Sequence, residues 1–193
     1  TVREARAAKV NLVRYADDFV AVFSAEQDAR QAQAEIIQRL SEYGLTVHPT
    51  KTRLLHFRPE DRRGGPRGFD FLGFTHYWGR TRGGGWAVQR QTAASRYRRT
   101  LKRLSTWLRR NLHQPILWQH RRLVRALRGH DAYYGVSGNY ESLRRLRRGI
   151  VRVWQRWLNR RSHRARYTWA VLNALLARFP LPKPRIHHGY AVS

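Results

Sequence analysis

The chain is 193 residues long and 41% hydrophobic, enough to pack one domain or two small ones, so disorder is not its default state. It has no cysteine, which excludes a disulfide framework and a thiolate zinc site, and its 39 Lys+Arg against 12 Asp+Glu give a formal net charge of +27. Residues 1–57 carry 8 basic and 7 acidic side chains and the remainder 31 and 5, so the positive charge belongs to the second part. Arginine dominates there, interleaved with Trp and Tyr, which suits phosphate forks and base stacking better than an anionic membrane surface. No apolar run approaches the roughly 18–20 residues of a membrane span, and no signal-peptide layout opens the chain, so a soluble, cytoplasmic protein without a membrane partner is expected.

In chain order, Thr1 to Lys9 is polar and Ala-rich. Leu12 to Phe23 has apolar and β-branched residues on both sides of Ala16-Asp17-Asp18, which predicts a β-hairpin turning at the two carboxylates. Ser24 with Gln27 three residues on predicts a capping box, and Ala29, Ala32, Ile36, Leu40 and Tyr43 form one helical stripe that Gly44 ends. Leu45–His48 and Arg53–Phe57 are predicted as short strands around Pro49-Thr50-Lys51, and Arg58–Gly68 as a loop. Phe69–Trp78 returns to strand character, and Trp86–Arg90 is expected to pair back across a Gly/Arg turn.

From there the period becomes helical. Tyr97, Leu101, Leu104 and Leu108 line a first helix, and Ile116, His120, Leu123 and Leu127 a second, ended by Gly129. Leu143, Leu146, Ile150, Val153 and Trp157 line a third, whose other faces carry Arg144, Arg145, Arg147, Arg148, Arg152 and Arg156. A fourth, from about Tyr167 to Arg178, precedes a Pro-rich tail. The fold expected is α+β: a hairpin, a helix and antiparallel strands, followed by a three-helix bundle.

Adjacent carboxylates repel, so Asp17 and Asp18 are best kept ionised by a divalent cation, and Mg²⁺ takes one or two carboxylates together with substrate phosphates. Upstream of so much positive charge, such a pair points to phosphoryl-transfer chemistry on nucleic acid. An Asp-Asp turn that serves only its own backbone is the plainer alternative. His187-His188 has no acidic or thiol partner at ligand spacing and belongs to the tail.

Tyr15-Ala16-Asp17-Asp18 within such a hairpin resembles the active-site motif of reverse transcriptases, and its surroundings resemble the group II intron reverse transcriptase/maturase family. Gly44–Thr52 is similar to the next palm motif of that family, and Phe69–Phe74 to the one after it. Leu127–Gly135 and Trp157–Ser162 resemble its maturase-specific thumb.

The resemblance implies RNA-directed DNA polymerase activity with two Mg²⁺ ions, Asp17 a direct ligand and Asp18 beside it in a weaker role. It gives Lys51 a general-acid or triphosphate role, and makes Phe71, Leu72, Gly73 and Phe74 a primer grip. It makes Arg144, Arg145, Arg148, Arg152, Arg160 and Arg161 candidates for RNA binding, and gives His130, Tyr133 and Tyr134 a base-stacking alternative to core packing. The implied partners are group II intron RNA, template RNA, a DNA primer and dNTP. The family also uses fingers and an earlier palm aspartate, which residues 1–193 do not supply, so a separate chain carrying them is a further expected partner and the chain alone is expected to be inactive. Residues 1–90 are expected to be the C-terminal part of a palm, 91–179 the thumb bundle and 180–193 an extended tail. A non-catalytic RNA-binding splicing cofactor that keeps the thumb is the alternative function.

Overall fold

The structure is a computed structural model in which residues 10–48, 51–59, 68–162, 164 and 166–189 are described. It is α+β, with small antiparallel sheets followed by helices. The chain divides into two compact units, residues 1–72 with 77–88, and residues 73–76 with 89–193. The strands β3 (Phe69–Phe71), β4 (Phe74–Arg80) and β5 (Trp86–Thr92) form a sheet in that order and supply residues to both.

In the first unit, β1 (Asn11–Tyr15) and β2 (Asp18–Val22) pair antiparallel, from Asn11 opposite Val22 to Tyr15 opposite Asp18. The helix α1 (Glu26–Glu42) carries Glu26 and Asp28 in its first turn and Arg39 in its last, as the helix dipole favours. Its N-cap is Ala25, with no side-chain bond, so the capping box expected at Ser24 does not form. Gly44, at φ +70°, ends it as expected, its N–H bonding to Ser41 O while that of Leu45 reaches Leu40 O. No residue of α1 is buried, and Ile36 and Tyr43, expected on a core-facing stripe, are exposed.

Two further expectations fail here. Residues 45–48 and 52–57 are irregular, not strands. Leu45, Leu54 and Leu55 are exposed, and Phe57 is drawn into an aromatic cluster instead of a ladder. Its ring lies 5.1 Å from Phe69, edge-on, and 5.5 Å from Trp78, whose Nε1 donates to Phe57 O. Of the expected loop at 58–68, residues 60–67 lie outside the described residues, as do 1–9.

The second unit is built on α2 (Ala94–Arg110), α3 (Ile116–Tyr134), α4 (Tyr140–Leu158) and α5 (Trp169–Arg178). Leu104, Leu108, Leu123, Leu127, Leu146, Ile150, Trp154, Leu158 and Leu172 make its core. On α4 the buried stripe runs through Trp154 and Leu158, leaving the expected Val153 and Trp157 half-buried at its margin. Trp154 is wholly buried because its Nε1 donates to Gln119 Oε1, while Gln119 Nε2 donates to the carbonyls of Asn111, Leu112 and Gln114. One amide thus satisfies both the indole and the connection after α2. Asn139 does similar work beside β5: its Nδ2 donates to Thr92 Oγ1 and Tyr134 O, and its Oδ1 accepts from Thr92 N.

The helix α3 runs through Gly129, its expected stop, and ends at Gly135. A Cβ at Gly135 would collide with the backbone carbonyls of Asp131 and Arg185, because the chain after α5 returns to lie against this point. That segment is held firmly. Arg147, expected among the outward arginines of α4, is instead buried. Its guanidinium donates to Asp131 Oδ2 at 2.5 Å and to the carbonyls of Pro182, Lys183 and Leu143. Asp131 Oδ2 also accepts from Arg185 N. His187 and His188 donate their N–H groups to Gly135 O, and Val136 bridges His188.

Arg147→Ala would leave Asp131 buried without its countercharge and the Pro182 and Lys183 carbonyls without a donor. We expect a loss of about 3–5 kcal/mol in urea unfolding, the usual cost of breaking a buried pair from one side. A paired Arg147→Met/Asp131→Leu replacement should lose less than the single change. Equal losses would show that the pair itself contributes little.

Candidate carboxylate turn and arginine-aromatic faces

The pairing of Tyr15 with Asp18 leaves Ala16 and Asp17 as a two-residue loop. Only Asp17 is therefore at the tip; Asp18, expected there as well, begins β2. Ala16 has φ +53°, the left-handed conformation that the first central position of a tight primed turn demands and that glycine usually fills. Arg14 Nε donates to Ala16 O at 2.8 Å and braces the turn from within the hairpin. Both carboxylates are exposed, and neither has an ion-pair partner among the described residues.

Two exposed carboxylates on successive residues fit Mg²⁺, which takes one or two carboxylates and completes its shell with water and phosphate oxygens. Among the described residues no group of three or more His, Cys, Asp or Glu is placed to hold a metal. Lys51 is exposed in a turn closed by its own N–H on His48 O, while Pro49 and Thr50 lie outside the described residues.

Phe71, Leu72, Gly73 and Phe74, expected as continuous strand, form a hairpin turn between β3 and β4. Leu72 at φ +49° and Gly73 at φ +81° both take the left-handed conformation, as a type I′ turn requires. That conformation is strained for leucine and costs glycine nothing. Gly73 is further fixed by a close approach, since a Cβ there would sit 2.8 Å from Tyr134 Oη. Its carbonyl accepts from Ala93 N at 3.0 Å. The buried Phe74 ring stacks at 6.0 Å on Tyr133 and lies 5.2 Å from Tyr134, which in turn stacks at 4.4 Å on His130. Among the described residues His130 has no hydrogen-bond partner for either ring nitrogen, and burial pushes its pKa down to about 4. His130 and Tyr134 are thus engaged in packing, and of the three aromatic residues expected to stack on bases only Tyr133 is exposed.

The arginines of the second unit fall into distinct settings. Glu141 pairs with both Arg144 and Arg148 on the open face of α4. Arg145 lies over the Tyr97 ring at 4.8 Å and Arg160 over Trp157 at 5.3 Å, while Arg152 is exposed. Arg161 donates to the carbonyls of His113 and Gln114. Sequence patterning missed the remaining case, in which Arg122 lies 5.9 Å over Trp107 and Trp107 stacks on Trp118. A signal for it exists: Trp118 and Arg122 are four apart on α3, one turn of one face.

Residues 1–76 match the family model described as reverse transcriptase (RNA-dependent DNA polymerase). No curated protein matches the chain. The matched segment contains both the carboxylate turn and the Leu72-Gly73 turn, and the latter offers a direct test. Gly73→Ala should destabilise by about 1–3 kcal/mol, from the left-handed backbone and the contact with Tyr134 Oη together. In a Tyr134→Phe background the hydroxyl is gone and the same change should cost only the backbone part, about 1 kcal/mol. Identical costs in the two backgrounds, in a double-mutant cycle by chemical denaturation, would dismiss the close contact.

Proposed function

We propose that the chain is part of an RNA-directed DNA polymerase of the group II intron type, which also binds intron RNA as a splicing maturase. The observation that carries this reading is the Ala16-Asp17 turn with Asp18 beside it, lying within the segment that matches the reverse transcriptase family. Asp17, with Asp18 in a weaker role, would hold Mg²⁺, which when bound would stabilise charge on the attacking and leaving oxygens of nucleotidyl transfer. Lys51 would meet the triphosphate or supply a proton to the leaving pyrophosphate. The residues Phe71 to Phe74 would set the primer. A second chain carrying fingers and a further palm aspartate would complete the site. The strongly basic helical unit supports the RNA-binding half of the proposal.

Given template RNA, DNA primer, dNTPs and Mg²⁺, the chain alone should not extend a primer, and adding a second chain with the fingers and remaining palm should restore extension. Asp17→Asn should then abolish it. Robust extension by the single chain would disprove its dependence on a partner, and extension indifferent to Asp17→Asn would remove the hairpin from the active site. If RNA binding persists and no partner restores synthesis, the splicing-cofactor reading prevails.

RNA binding is separately measurable. Replacing Arg144, Arg145 and Arg148 by Gln preserves helix propensity, so the fold should stand while affinity falls. The slope of log affinity on log salt should become shallower by about 0.7 for each single-strand phosphate that is no longer neutralised. An intact circular dichroism spectrum with parental affinity and slope would make that face merely solvated.

A further inference from the structure

The stripe of α3 through Trp118, Arg121, Arg122, Arg125 and Arg128 faces away from the leucines that bury that helix. Trp118 is 45% exposed, a large apolar surface on a face otherwise given to arginine. Its indole does not lie loose: it stacks on Trp107 at 5.1 Å with 23° between the planes, and Trp107 is itself half-buried against the core. Arg122 covers Trp107 and helps fix the pair. The result is a stacked aromatic plate whose outer member, Trp118, keeps nearly half of its surface exposed.

Next to it along the same helix is a cleft of about 320 Å³ lined by His120, Arg121, Val124, Arg125 and Arg128. His120 Nε2 is held by Pro180 O at 2.9 Å, and the surface inside the cleft is mainly apolar, while Arg121, Arg125 and Arg128 are exposed to solvent beside it. Neither α2 nor α3 offers them a free acid: α2 has none, and the only one on α3, Asp131, is paired with Arg147. From Trp118 to Arg128 the helix rises about 15 Å at about 1.5 Å per residue, room for more than one nucleotide.

We propose that Trp118 and the Arg121–Arg125–Arg128 cleft form a subsite for unpaired nucleotides, one base stacking on the open side of the Trp118 indole while neighbouring phosphates are held by the arginines. A π-face accepts any base and a guanidinium accepts any phosphate, so the site reads single-strandedness rather than sequence. Inside a helix every base is stacked on both faces and offers none to the plate. The proposal rests on the nucleic-acid reading above and adds the place where a strand leaves its helix.

The test uses the full chain and three decamers: oligouridine, oligothymidine and an abasic strand that keeps phosphates without bases. Trp118→Ala should weaken oligouridine about tenfold and leave the abasic strand unchanged, with Trp118→Phe staying near the parent. The salt slope should not change with Trp118→Ala, but Arg121→Gln/Arg125→Gln should make it shallower for all three strands. A weakening confined to oligouridine or to oligothymidine assigns the subsite to RNA or to DNA, and equal weakening assigns it to both. If the parent binds no decamer at all, the nucleic-acid reading itself fails. If it binds with a steep salt slope that Trp118→Ala leaves untouched in affinity as in slope, or if that variant weakens the abasic strand equally, the subsite is overturned while the reading stands.

Discussion

One buried cation determines how the helical unit closes. Arg147 lies four residues after Leu143 and three before Ile150, inside the apolar stripe of α4, so the fold must surround a guanidinium with acceptors or exclude it. It does the former with a carboxylate from α3, a carbonyl of its own helix and two carbonyls of the returning segment. The returning segment has no regular structure of its own, and its path from Pro180 to His188 is fixed by what α3, α4 and their connection require. Such a pair contributes less net stability than its geometry suggests, because both ions were well solvated before burial. Arg147, Asp131 and Gly135 each bond the returning segment, at Pro182 and Lys183, at Arg185, and at His187 and His188 respectively.

The legible parts of this fold are those where one periodicity dominates. The hairpin at Tyr15 to Asp18 shows in its flanking β-branched residues, and the helices α2 to α4 show in leucines repeating every three or four positions. What fails is local pattern without a partner. Leu45 to Val47 and Arg53 to Phe57 have strand composition, but a strand needs a neighbour, and Phe57 finds aromatic contacts instead. Gly129 resembles a helix stop, yet the backbone passes it and halts at Gly135, where another segment crowds the chain. A run of arginines reads as one surface, and that hides Arg147. Its position in the leucine register distinguishes it from Arg144, Arg145 and Arg148.

The candidate site is legible as chemistry and less so as geometry. Asp17 and Asp18 are identifiable as a pair, but which of them occupies the tip depends on the register of β1 against β2. Two non-glycine residues take the left-handed conformation among those described, Ala16 and Leu72, and each occupies a two-residue turn between strands. Strain of this kind persists where surrounding structure over-determines it, and here both instances adjoin residues with a proposed role in synthesis. The Trp107–Trp118 plate is hidden in the sequence because tryptophans on amphipathic helices ordinarily count as core.

The arginines that cover α4 also act on the fold that carries them. Arg144 and Arg148 stand one helical turn apart, a spacing at which like charges repel, and a single glutamate, Glu141, is shared between them. Arg121, Arg125 and Arg128 repeat the arrangement on α3 without any acid between them. Dissolved ions screen that self-repulsion and so favour the compact helices, while the same ions compete with every phosphate contact. Under the proposed RNA binding, ionic strength would therefore drive folding and strand capture in opposite directions. A polyanion of the kind proposed would escape this opposition, since it would neutralise the repulsion while being itself the ligand, and by mass action a bound strand would add to what keeps these helices folded.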